Sequence, residues 1–236
     1  VNLPLERAAP FTGAGASLAL LRLLHLVSPA LPVGAYAYSQ GMETAVERGW
    51  VADEAQALEW IDGLARRNVG SLDLPVLLRL ARAHRSQDAV GVRRWNARLL
   101  AARETMELRA EDQHLGRALL RILQDLGVAG SVELAAGPAC FAAAFALAAV
   151  RWDIGERELL GGYLWAWTEN QVLAAVKLVP LGQSAGQRLL HRLVESMPAT
   201  IEAALAVDDA RIGASAVAQA LASAWHESQY TRLFRS

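Results

Sequence analysis

Leucine and alanine recur every three to four residues along most of this chain, and no stretch of useful length alternates apolar with polar residues. A helix places positions three and four apart on one face, whereas a strand needs period two. Ala and Leu are strong helix formers, while Ile, Thr, Phe and Tyr, among the types that strands favour, are sparse here. The chain therefore reads as all-α, a single-domain bundle of about ten helices, with no internal repeat.

Proline and glycine supply the punctuation. A first apolar helix is predicted over 17–27, stopping at Ser28-Pro29, and the turn-rich connector 29–34 follows because two prolines and a glycine cannot continue it. A helix over 36–48 ends near Gly49. Asp53 reads as an N-cap with Gln56 three residues on, ahead of a stripe of Leu58, Ile61, Leu64 and Ala65. Asp73 and Pro75 open the next helix, running to about Arg85. Helices over 88–106 and 108–127 follow, the second with an apolar face of Leu115, Leu119, Ile122 and Leu126. The loop 127–131 precedes a buried segment over 134–152. The remaining helices are 156–178, stopped by Pro180 and Gly182, then 184–196, 198–207 from Pro198, and 213–227.

Composition narrows the class. With 236 residues, of which 53% are hydrophobic and 20% charged, the chain can bury about 70–75% of its unfolded surface. A net charge of −1 and a pI near 6.6 argue against a dedicated nucleic-acid binder. Cys140 is the single cysteine, which excludes a disulfide framework or a cysteine-rich zinc site. The best membrane candidate, 134–150, is Ala-rich, contains Gly137-Pro138 and is shorter than the ~20 strongly apolar residues of a span. The expectation is a cytoplasmic protein with no membrane contact.

Familiar catalytic signatures are missing. Lys177, the only lysine, sits in an apolar run without the glycines and following hydroxyl of a phosphate loop. Ser39 has Gly41 after it but Ala37 where a nucleophile elbow needs its first glycine, and His226-Glu227 has no second histidine after it. Glu111 and His114 stand at the spacing of a di-metal helix, but no second copy of that motif exists, so the pair reads as a solvated helix face. The five histidines are scattered, each read as a surface or satisfied core residue. Neither catalytic, cofactor-binding nor metal residues are assigned.

Polar and aromatic clusters remain. Arg103, Glu104, Glu107, Arg109, Glu111 and Asp112 form a charged run, either a solvated face with intrahelical pairs or a partner-binding surface. Tyr163, Trp165 and Trp167 read as helical core packing. After Trp225, the last residues place Tyr230, Leu233 and Phe234 on one helical face beside Arg232 and Arg235. Aromatics and arginines are the usual interface anchors, so this tail docks on its own chain or on a partner, the latter being favoured.

Four blocks, in order, make the chain similar to a known family. They are Ser28-Pro-Ala-Leu-Pro-Val-Gly-Ala-Tyr-Ala-Tyr-Ser-Gln-Gly-Met-Glu43, Arg103-Glu-Thr-Met-Glu-Leu-Arg109, Lys177-Leu-Val-Pro-Leu-Gly-Gln183 with Gly186-Gln187, and His226 to Ser236. Together they resemble the UreF family of urease accessory proteins over roughly residues 18–236, leaving an N-terminal arm over 1–17 that is expected to be flexible. Tyr36 and Met42 are shape-preserving departures from that pattern.

The resemblance implies a non-enzymatic nickel-insertion chaperone, all-α and homodimeric. It would bind UreD (UreH in some organisms) and recruit the GTPase UreG to apo-urease. Nickel and GTP would be handled by the partners, with no cofactor held tightly here. Partner-binding roles are expected for Tyr38, Ser39, Gly41 and Glu43, which could equally cap and pack locally, and for Arg103 and Glu104. Gln183 and Gln187 offer two amides one turn apart, for a partner or for their own helix. Lys177 is expected to be exposed, since burying it unpaired is expensive. Tyr230, Arg232, Leu233 and Arg235 are the expected UreD contact, on a segment expected to be mobile until it binds. Regulation of UreG by an arginine in trans, or a nickel-conducting path through the chain, are the alternative readings.

Overall fold

The computed structural model describes residues 14–213 and 215–236, with side chains from Leu18 onward. The arm expected over 1–17 lies, through residue 13, outside the described residues. Among these residues there are helices and connecting loops, and no strand. Eleven α-helical segments follow in order: α1 (Ala14–Leu26), α2 (Met42–Glu47), α3 (Glu54–Leu64), α4 (Leu74–Arg85), α5 (Ala89–Ala101), α6 (Met106–Asp125), α7 (Ser131–Ala135), α8 (Phe141–Arg151), α9 (Glu156–Leu178), α10 (Gln183–Leu205) and α11 (Val217–His226). Because α3 and α4 form one rod, they amount to ten separate helices.

α8 is the hub. Its residues 142–149 are all buried, mostly alanines, which let neighbouring backbones come close. α4 and α6 lie directly against it, and α9 packs along α10 on the far side. Gly116 of α6 faces Ala139 and Cys140 so closely that a β-carbon there would collide with their backbone. A second, smaller core gathers Met42, Ile61, Val172 and Leu189 from α2, α3, α9 and α10, closed by Phe234.

Several boundaries differ from the sequence reading. The helix over 36–48 is broken: a 3-10 turn covers Ala35–Ala37, and Gln40 (φ 55°) and Gly41 (φ 85°) turn left-handed before α2 begins. Asp73 does not start a helix. The rod runs from Glu54 to Arg85 through a π-helical stretch, Ala65–Asp73, and the helical Asp73 caps nothing. Pro75 is absorbed because the widened turn tolerates its missing donor. The Ser71 carbonyl accepts instead from the Gly213 amide at 3.1 Å. Likewise, Pro198 lies inside the continuous α10 rather than opening a new helix.

The helix over 88–106 stops at Ala101, since Thr105 is extended and caps α6 through its hydroxyl to Leu108 N. The segment 134–152 is not one helix: α7 ends at Ala135 and α8 begins at Phe141, with Asn96 clamping Pro138 O and Cys140 N in the loop between them. Leu126 is exposed, outside the buried face of α6, where Leu120 and Leu123 take its place. The Asp53 cap is present: its carboxylate accepts from Gln56 N at 2.8 Å, while the Gln56 side chain accepts from Ala52 N. Among the described residues, no helix is long and apolar enough to cross a membrane.

Candidate functional site: a docked tail in a carboxylate cradle

Residues 227–236 do not extend α11. They run back over the start of α2 and the side of α6, so Phe234 and Ser236 point in while Tyr230 and Leu233 point out. The single helical face expected for Tyr230, Leu233 and Phe234 is therefore absent. Its physical reason is the cradle: Glu43 accepts the amides of Leu233 (2.6 Å) and Phe234 (2.8 Å), groups that a helix would have bonded internally. The expected mobile tail is, in this structure, a seated one.

Left-handed turns place the cradle. Gly41 brings α2 within 3.1 Å of α11 as measured from an ideal β-carbon to Ser223 N, room that only glycine leaves. Ser39, fully buried, donates its amide (2.9 Å) and its hydroxyl (2.5 Å) to the Ser236 carbonyl, and its Oγ accepts from Glu43 N. The Arg235 amide donates to Ala37 O. Tyr38 is buried, its carbonyl accepting from Asn170.

Two turns of α6 supply the rest. Glu107 accepts from Arg232 at 2.8 Å and faces His226 Nδ1 at 2.7 Å, while His226 Nε2 lies 3.3 Å from Glu43. His226 is thus a satisfied core histidine between two carboxylates. Glu111 is buried, not solvated: it accepts from Gln40 Nε2 at 2.7 Å and from Ser236 Oγ at 2.8 Å. Burial outweighs these donors and pushes its pKa up to about 7. His114, its expected companion, is half-buried beside Tyr38.

Beneath lies a cavity of about 130 Å³, with Leu26, Leu31 and Val33 at its apolar wall and Glu111, Gln40, Asn68 and Gln219 at its polar one. Trp167 reaches it too, donating to Gln40 at 2.8 Å, so the left-handed Gln40 joins Trp167 to Glu111. Arg103 forms the floor. It holds Asp73 with two nitrogens (2.6 and 3.1 Å) and Asp112 with Nε (2.8 Å). Burial opposes its charge, but Asp112 and Asp73 outweigh that and raise its pKa well above the ordinary value. Asp112 also caps α8 through Phe141 N. The intrahelical pairs expected in this charged run give way to these longer-range ones.

The other expected residues lie outside the cradle or on its rim. Glu104 is exposed and accepts from Ser215. Lys177 is exposed at the tail's edge, its Nζ 5.5 Å from the Phe234 ring and 5.9 Å from the Tyr36 ring. Gln183 and Gln187 are exposed one turn apart at the start of α10, and neither caps it. Among the described residues, no three His, Cys, Asp or Glu side chains converge in a way that could hold a metal ion. Sequence reasoning missed Gln40, Asp73 and Ser236 as site members. The readable signal was the spacing of Glu107 and Glu111, four apart on one face of α6.

Fold and site together define an all-α scaffold that holds its own last segment in a cradle of carboxylates over a polar-floored cavity. Residues 51–194 match the family model described as UreF. The chain is 51% identical over 217 residues to the urease accessory protein UreF of Teredinibacter turnerae, covering 92% of this chain and 98% of that protein. It is 45% identical over 219 residues to the UreF of Hahella chejuensis, covering 93% and 99%. Against the UreF of Alkalilimnicola ehrlichii it is 47% identical over 220 residues, covering 93% and 96%. The chain belongs to the UreF family of urease accessory proteins.

Proposed function

We propose that this chain works as an adaptor in urease maturation, without a catalytic centre of its own. It binds UreD (UreH in some organisms), and the pair recruits the GTPase UreG to apo-urease for GTP-dependent nickel delivery. The observation that carries this reading is the outward face of the seated tail. Tyr230 is fully exposed and Leu233 is 67% exposed, although Phe234 between Leu233 and Arg235 is buried. Large side chains held outward on an anchored segment, next to exposed Lys177 and Tyr36, are what an interface needs. Homodimerisation belongs to the same reading, supported by Leu18, Leu21 and Leu24, exposed along one side of α1.

Co-purification with the cognate UreD tests it, comparing the full chain, a version ending at Ala224, and the double variant Tyr230→Ala/Leu233→Ala. Both altered chains are expected to lose UreD. The double variant should do so with unchanged helicity and melting temperature, because neither side chain packs in the core. Retention of UreD by the double variant would overturn the tail as the contact and direct the search to Gln183 and Gln187.

A further inference from the structure

Three of the tail's anchors are carboxylates. Glu43 takes two of its amides, Glu107 its Arg232 guanidinium, and Glu111 its Ser236 hydroxyl. Of the three, Glu111 is the most deeply placed, closed on one side by Gln40 and on the other by Ser236 itself. The tail is thus part of what keeps water from this carboxyl.

We propose that seating of the tail is coupled to proton uptake at Glu111, making residues 227–236 a latch that tightens as pH falls through neutrality. As an acid, Glu111 donates through Oε2 to Ser236 Oγ and still accepts from Gln40 through Oε1. As an anion it must be desolvated with only two neutral donors against it. The charged groups around it pull in both directions: Arg103 favours the anion, while Asp112 on the same helix opposes it. Asp73 lies behind Arg103, and on its own helix Glu107 and His114 are the neighbours at one turn.

The sign follows from linkage. The seated state holds the proton up to about pH 7, whereas a carboxyl released to water titrates at its ordinary value near 4.5. Seating is therefore strongest below the released value, weakens as pH rises through the seated one, and is flat above it. Between pH 8 and pH 6 the seating equilibrium should tighten about tenfold. The inference concerns the isolated chain, so its failure leaves the UreD reading intact, and the reverse also holds.

Hydrogen exchange on the full chain is the test, since the amides of Leu233, Phe234 and Arg235 are all bonded only when the tail is seated. After correction for the intrinsic pH dependence of exchange, their protection should be about tenfold higher at pH 6 than at pH 8. Glu111→Gln, which offers the same donor and acceptor without titrating, should hold that protection constant across the range. Equal protection at pH 6 and pH 8 in the unaltered chain overturns the proposal, as does a slope that survives in Glu111→Gln. Should that variant fail to fold, a carboxyl carbon titration of Glu111 in the unaltered chain decides: a midpoint below about 5 overturns the coupling.

Discussion

At Arg103 a single side chain neutralises two carboxylates that are each about 5% exposed, and is itself only 14% exposed. Solvent screening is weak there, so Arg103→Ala leaves Asp73 and Asp112 buried, alike in charge and unpaired. A loss of about 3–5 kcal/mol is expected in chemical denaturation. Arg103→Lys should recover little, because one ammonium cannot reproduce a fork to Asp73 plus a third bond to Asp112. An unchanged midpoint for the alanine variant would show that the triad is dispensable. Glu43 is the complementary case. Glu43→Gln keeps the shape but can accept well from only one of the two tail amides, so exchange at Leu233 or Phe234 should rise by tenfold or more for a loss of about 1.5–3 kcal/mol. Far-UV circular dichroism should barely change, since the affected amides lie outside any helix.

The helices separate what the sequence announces from what it hides. α9 begins at Glu156 and ends at Leu178, the bounds its pattern predicts, because Gly155 and Pro180 flank a run that no proline interrupts. Pro75 and Pro198 misled for the opposite reason: a proline breaks a lone helix, but tertiary packing and a π-turn let these two pass. Inward-facing charge was equally hidden. Glu111 looks solvated in sequence because its partners lie 71 and 125 residues away, beyond any local pattern. The Asp53 cap, wholly local, was legible, and Asp53→Ala should cost about 1 kcal/mol in thermal unfolding. Gly116 offers a sharper test of packing between α6 and the chain entering α8. Gly116→Ala should destabilise by about 1–3 kcal/mol, although alanine is the better helix former. Stabilisation instead would mean that α6 lies farther from Ala139 than described.

On the scale of the molecule, two apolar cores share their walls. Trp167 of α9 packs against both, and the α3–α4 rod contributes to each. Loosening one core should therefore loosen the other, so tryptophan fluorescence and helical circular dichroism are expected to report a single unfolding transition with one midpoint. Two separated midpoints would divide the bundle into independent units. The seated tail has a further consequence, in time rather than space. Glu43 is joined to an amide 191 residues later. At roughly 5–20 residues per second, a ribosome needs about ten to forty seconds to make that interval. During synthesis, the cradle therefore stands without its tail long after its own helices have emerged.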